Sequence, residues 1–318
     1  MEAFKNEYEI IKENMYNNIS LIKNKKNNNK YILKKIYMDR EELNKNENEA
    51  KILKKLEHEN IVKYYDSFKD NSYFFIIMEY CQNSDLRNFI KDYKDNNQSI
   101  KESIISSIVL DICAGIKEIH KNNIIHRDLK PENIFITDEH KCKVGDFGIS
   151  KKLEGTNHAK TQGIGTIFYM APELLSGNPY DNKVDIWGLG CIIYELFTLE
   201  QCFGDNNLIT VINRIKEGVH GKINLVKYSS DWQDLIDSLL QKEPEKRPNI
   251  EDVYNKVNEL KNKNSEMNDD KKKRHVILDN MFRNCNKLKV VHLNSKYNLN
   301  LLKNQLEKDN INPKLIIK

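Results

Sequence analysis

Glycine is absent from the first 114 residues of this 318-residue chain, and all 12 of its glycines lie at Gly115 or beyond. A loop in that first third that must approach a ligand closely, or turn through positive φ, has to do so with another residue type. Long apolar runs are also lacking. No window approaches eighteen consecutive apolar residues, which argues against a membrane-spanning helix. The opening stretch, MEAFKNEYEI, is acidic and polar where a secretory leader needs a basic and then an apolar segment. The six cysteines, at 81, 113, 142, 191, 202 and 285, show neither C-x-x-C spacing nor paired histidines. That pattern supports no disulfide framework or zinc site and fits a reducing, cytoplasmic setting.

What is present suits a globular protein: 39% of residues are hydrophobic and 31% charged. The length fits one large domain or two modest ones, with enough chain to bury a substantial core. The net charge of +4 is unevenly placed, because residues 263–318 carry 13 Lys/Arg against 6 Asp/Glu, leaving 38 against 41 elsewhere. The basic excess belongs to the tail, so nucleic-acid binding by the whole chain gains little support. Asparagine occurs 42 times, which reads as a biased background filling exposed loops.

Residues 8–37 read as short strands, Tyr8–Ile11, Ile19–Ile22 and Tyr31–Leu33, separated by Asn/Lys-rich turns. Asp39–Glu57 has helical spacing, and Ile61–Asp66 and Tyr73–Met78 read as two further strands. Beyond them the pattern turns helical, with one broad apolar face over 104–119 and a stretch apolar all round over Val184–Leu199, as expected of a buried helix. A last helix is expected near 250–262, followed by a polar linker over Lys261–Lys273.

The chemistry concentrates in His126-Arg127-Asp128-Leu129-Lys130-Pro131-Glu132-Asn133, followed by Asp146-Phe147-Gly148 and then by Ala171-Pro172-Glu173. These supply a carboxylate able to orient a hydroxyl beside oxygen donors suited to hard divalent ions. In this order and spacing they resemble the eukaryotic protein kinase superfamily, serine/threonine type, over residues 8–262. The resemblance implies an α+β, two-lobed fold with a β-rich small lobe over about 8–78 and a mostly helical large lobe over about 82–262. It also implies ATP and Mg²⁺ as cofactors, protein substrates with Ser/Thr acceptors, and a role in signalling.

Carried over residue by residue, the resemblance makes Asp128 the base for the substrate hydroxyl and Lys130 the group that steadies the transferring phosphoryl. Asn133 and Asp146 become the metal ligands. Lys34 becomes the strand lysine on the phosphates, with Glu49 as its partner and Lys35 as the rival for its role. Met78 would back the adenine pocket, the backbone of Glu79 and Cys81 would meet the base, and Asp85 would contact ribose or a basic substrate side chain. Glu173 and Arg247 resemble a bracing ion pair, and Asp185 resembles the buried aspartate that holds the catalytic-loop backbone. Arg127 implies control by phosphorylation of the segment Asp146–Glu173, with Thr161 the preferred acceptor for an upstream kinase or for autophosphorylation, ahead of Thr156 and Thr166.

Three stretches, Asn60–Tyr65, Met78–Cys81 and Asn133–Thr137, resemble the NIMA-related kinases most, whereas Gly165–Glu173 departs from their usual wording. One family feature is missing. Counting back from Lys34, the three positions of the glycine-rich phosphate loop hold Lys12, Asn14 and Asn17. Asn14 and Asn17 are the candidate stand-ins, since asparagine is the next most permissive residue at positive φ. The alternative is a pseudokinase scaffold with weak or no transfer. In the tail, Met281–Leu293 resembles part of one leucine-rich repeat, and Lys271–Arg274 is a short basic run open to three readings: nuclear import, an anionic-surface patch, or a simply solvated stretch.

Overall fold

The computed structural model describes residues 2–16, 18–37, 54, 56–81, 83–137, 141–146 and 164–263. Glu49, Thr161, Asn17, the expected helix over most of 39–57 and the leucine-rich-repeat-like stretch of the tail lie outside these residues.

Apolar alternation builds the small lobe. Helix α1 (Glu2–Glu7) leads into strands β1 (Tyr8–Tyr16), β2 (Ile19–Asn24), β3 (Lys30–Tyr37), β4 (Tyr64–Asp70) and β5 (Tyr73–Glu79). These form an antiparallel sheet in the order β1-β2-β3-β5-β4. With period-2 side chains, Tyr31 and Leu33 of β3 join Phe75 and Ile77 of β5 in a cluster on one face, capped by Phe4 of α1. Ile36, Phe74 and Ile76 take the other face and merge with the main core. The expected strand at Ile61–Asp66 begins later, at Tyr64. Ile61 bridges Val144 instead, and the Val62 N–H donates to the Val144 carbonyl at 2.9 Å, tying this segment to the large lobe rather than to the sheet.

The chain then crosses through a short sheet of β6 (Asn83–Asp85), β7 (Ile134–Ile136) and β8 (Cys142–Val144). The large lobe is helical: α2 (Leu86–Asp95), α3 (Glu102–Lys121), α4 (Pro172–Leu175), α5 (Lys183–Thr198), α6 (Leu208–Glu217) and α7 (Ser230–Leu239), with residues 250–263 forming a further helix, α8. Helix α3 buries Ile105, Ile108, Val109, Ile112, Ile116 and Ile119, each contributing roughly 1.5–3 kcal/mol of apolar transfer. Gly115 lets α3 approach the small lobe's connector, since a Cβ there would lie 2.5 Å from the Asn60 carbonyl oxygen. Helix α5 is buried on nearly every side, as its continuous apolar run requires. Among the described residues no helix is long and apolar enough to cross a membrane.

Asparagine performs more than loop filling. Of the eight described non-glycine residues at positive φ, five are asparagines: Asn18, Asn28, Asn71, Asn97 and Asn123. Four of these sit in the glycine-free first third, where turns need the left-handed region and asparagine tolerates it best.

Candidate active site

The catalytic loop is built on one buried carboxylate. Asp185, near the start of α5, accepts the backbone N–H groups of His126 at 2.9 Å and Arg127 at 2.8 Å, and His120 Nε2 lies 2.8 Å from it. These bonds hold Arg127 at φ 70°, a conformation that a bulky L-residue adopts only when its surroundings impose it. His126 is fully buried. Its Nδ1 accepts the Asp128 N–H at 3.3 Å, so Nε2 carries the proton and donates to the Gly145 carbonyl at 2.9 Å. Gly145 in turn donates to the Asn133 carbonyl at 2.9 Å, and a Cβ at 145 would strike Val62 at 2.6 Å. The segment that delivers Asp146 is thereby locked to the loop that delivers Asp128.

On this frame the expected residues converge. Asn133 Nδ2 donates to the Asp128 carbonyl at 2.7 Å and to its carboxylate at 2.9 Å, while Lys130 Nζ lies 3.0 Å from the same carboxylate oxygen. Asp146, at φ 56°, forms an ion pair with Lys34 of β3. Strand alternation decides between the two lysines: Lys35 points to the opposite face, 3.9 Å above the Tyr73 ring.

The hinge residues are placed by β5. Met78 pairs in register with Ile32 and packs against the main core. The Glu79 N–H donates to the Lys63 carbonyl at 2.9 Å, and the Glu79 side chain holds Lys143 at 2.8 Å, a cross-lobe contact that sequence reasoning missed. Cys81 follows in the half-buried connector to β6. Asp85 caps α2: its carboxylate accepts the Asn88 N–H at 2.8 Å and the Asn88 amide at 3.1 Å. Burial raises its pKa, against the lowering effect of the Asn88 bond.

The phosphate lid differs from its expected form. Lys12 pairs with Leu21 and Tyr16 with Ile19, so four steps along β1 oppose two along β2. The surplus residues form a bulge in β1, beside the strand in which Ile19 pairs with Lys34. In the tight turn that follows the bulged strand, Asn18 is at φ 65°.

The oxygen donors fit Mg²⁺. Among the described residues no cluster of three or more His, Cys, Asp or Glu could hold a metal. A pair of ligands, the Asp146 carboxylate and the Asn133 amide oxygen, whose NH₂ group is already committed to Asp128, suits an ion that keeps waters and shares substrate phosphates.

The expected brace is present. Arg247 donates to both Glu173 oxygens at 2.7 and 2.9 Å, and to the carbonyls of Gln241, Lys183 and Lys242, so all five of its N–H groups are used.

The chain matches the model of the protein kinase domain over residues 9–257. It is 33% identical over 249 residues to serine/threonine-protein kinase Nek1 of Mus musculus, covering 77% of this chain and 20% of that protein. To the probable serine/threonine-protein kinase nek3 of Dictyostelium discoideum it is 40% identical over 210 residues, 65% of this chain and 19% of that one. To Nek3 of Mus musculus it is 35% identical over 240 residues, 75% and 46% respectively. The chain spans less than half of the length of each of these three relatives. It belongs to the protein kinase family, with the Nek, or NIMA-related, serine/threonine kinases among its relatives.

Proposed function

We propose that this protein transfers the γ-phosphate of ATP to Ser/Thr hydroxyls of protein substrates. The observation that carries the reading is the meeting of Asp128, Lys130 and Asn133 on one carboxylate, locked through Gly145 to the Asp146–Lys34 pair. Asp128 orients and accepts the proton of the substrate hydroxyl. Lys130 and Lys34 set positive charge where the transferring group and the nonreacting phosphates would sit. Mg²⁺, when bound, supplies charge neutralisation for the leaving phosphates. The Met78–Cys81 hinge meets the base, and Asp85 is assigned the ribose or a basic substrate side chain alongside its capping role. We place the enzyme in a reducing cytosol, a reading that the scattered, unpaired cysteines among the described residues support.

The same reading includes control through the activation segment. Arg127 Nε is buried with no hydrogen-bond partner among the described residues, which suits a guanidinium awaiting an anion. Thr161 is the acceptor we favour; Thr161→Ala should abolish the activity gained on phosphorylation, and unchanged activity would place the control elsewhere.

The test is Mg²⁺-dependent ADP release with a Ser/Thr-containing protein acceptor, followed by phosphoamino-acid analysis. Phosphoserine or phosphothreonine is expected. ATP binding without transfer would instead establish the pseudokinase reading, which the glycine-free lid specifically favours.

A further inference from the structure

The helix α1 ties down the open edge of the small lobe. It has only six residues, too few to hold its shape alone, yet its Phe4 is just 8% exposed. The ring stacks on Tyr8, the first residue of β1, at 5.4 Å between centroids, and reaches Phe68 of β4 at 5.3 Å. Strands β1 and β4 are the two edges of the sheet, so one side chain links both. Tyr8 in turn meets Tyr31 of β3 edge-on at 5.8 Å. A second anchor lies one residue before β1. The Glu7 carbonyl accepts the Lys25 N–H at 2.9 Å, and its carboxylate accepts the Asn24 amide at 3.1 Å. Asn24 is itself buried, and its side-chain oxygen accepts the Lys26 N–H at 2.9 Å in the turn between β2 and β3. The start of β1 is therefore fixed on two sides.

The other end of β1 is the bulged lid. Among the described residues β1 pairs with β2 alone, regularly over Tyr8–Ile10 and then only at Lys12 and Tyr16. A strand held along one side and twice interrupted takes its path from its anchored end. A loop of glycines could settle onto the phosphates once they arrive, but the chain has no glycine before Gly115. The placement of this lid has to be built in beforehand rather than found on binding.

Resting on the kinase reading, we infer that Phe4 is a positioning residue for ATP: docked on the face of the small-lobe sheet turned away from the main core, it sets where the bulged lid meets the phosphates. Its seat is formed by Ile22, Leu33, Phe75 and Ile77. It acts through Tyr8 and β1 rather than by contact with the nucleotide. A residue that only stabilised the fold would lower the unfolding midpoint and leave the kinetic constants of the folded protein alone.

The test measures the KM for ATP and kcat, at saturating protein acceptor, for wild type, Phe4→Ala and Phe4→Leu, each well below its thermal midpoint. Phe4→Ala should raise the KM by about three- to tenfold, the range that loss of one or two aromatic contacts allows, with kcat within about twofold of wild type. Phe4→Leu keeps the apolar seat filled but loses both ring contacts, and its KM should fall between the two. A lowered midpoint with an unchanged KM overturns the inference, as does a fall in kcat with an unchanged KM. If Phe4→Ala fails to fold, Phe4→Leu decides by the same split: a raised KM upholds the inference and an unchanged KM overturns it. If wild type transfers no phosphate, the kinase reading fails by itself. Calorimetry with Mg·ATP then decides the present point, with weaker binding to Phe4→Ala upholding it, and equal binding, or none in wild type, overturning it.

Discussion

The catalytic loop and the phosphate lid solve neighbouring problems by different means. In the loop, function rests on side chains, and every one of them is fixed by a charged or hydrogen-bonded neighbour: Asp185 holds the backbone, His126 holds Gly145, and Asn133 holds Asp128. Such groups cannot be exchanged without stranding a buried partner, and their order along the chain is therefore a dense, recognisable word. In the lid, the proposed phosphate-binding function rests on backbone N–H groups. The same job is open to any sequence that can arch, here a bulged strand closed by a tight turn at Asn18, with no glycine at all. Side-chain chemistry constrains residue type tightly; backbone chemistry constrains it loosely.

Breaking the loop side of that contrast should have the largest effect. Asp128→Asn is nearly isosteric yet removes the proton acceptor, and kcat should fall by about 10²–10⁴-fold while the thermal midpoint changes little. Turnover within a few-fold of wild type would take Asp128 out of the base role. The framework comes next. Asp185→Ala leaves the His126 and Arg127 N–H groups and His120 unpaired in the interior, which should cost about 3–5 kcal/mol in denaturant unfolding. A loss below about 1 kcal/mol would mean the loop does not depend on that carboxylate.

The contrast also explains what was readable in advance. The eight-residue word around Asp128, the Glu173–Arg247 pair and the α3 and α5 helices follow directly from residue order, since apolar periodicity and paired charges leave a linear trace. The strand placed at Ile61–Asp66 was displaced because Ile61 and Val62 are apolar for a different partner, β8, which no local pattern reveals. The hydrogen-bonded cluster of Arg87, Glu132, Tyr169 and Glu195 was illegible for the same reason: these residues become neighbours only after the large lobe has folded. Asparagine abundance read as mere bias because composition does not carry φ.

The lid side of the comparison is sharpened by restoring what it lacks. Asn14→Gly with Asn17→Gly should lower the KM for ATP and leave the metal and proton chemistry untouched. The gain should stay below about tenfold, because no more than one hydrogen bond's worth of energy, ~0.5–1.5 kcal/mol, is at stake. An unchanged KM would show that the bulged strand already presents its N–H groups adequately without glycine.

The smallest expected effect tests whether asparagine truly replaces glycine in this chain. Asn18 sits at φ 65° in the turn that joins the bulged strand to β2, and β2 in turn carries Ile19 against Lys34. Alanine pays a steric cost of roughly 1–2 kcal/mol in that region of backbone space, whereas glycine pays none and asparagine lies between them. Asn18→Ala should therefore destabilise the protein by about 1 kcal/mol in denaturant unfolding, and Asn18→Gly should match or slightly exceed wild type. Because the turn sets the register of the bulge, the alanine variant should also raise the KM for ATP while the glycine variant does not. If alanine proves as stable as asparagine, the left-handed turn is not what selects the residue, and Asn18 belongs with the compositional background after all.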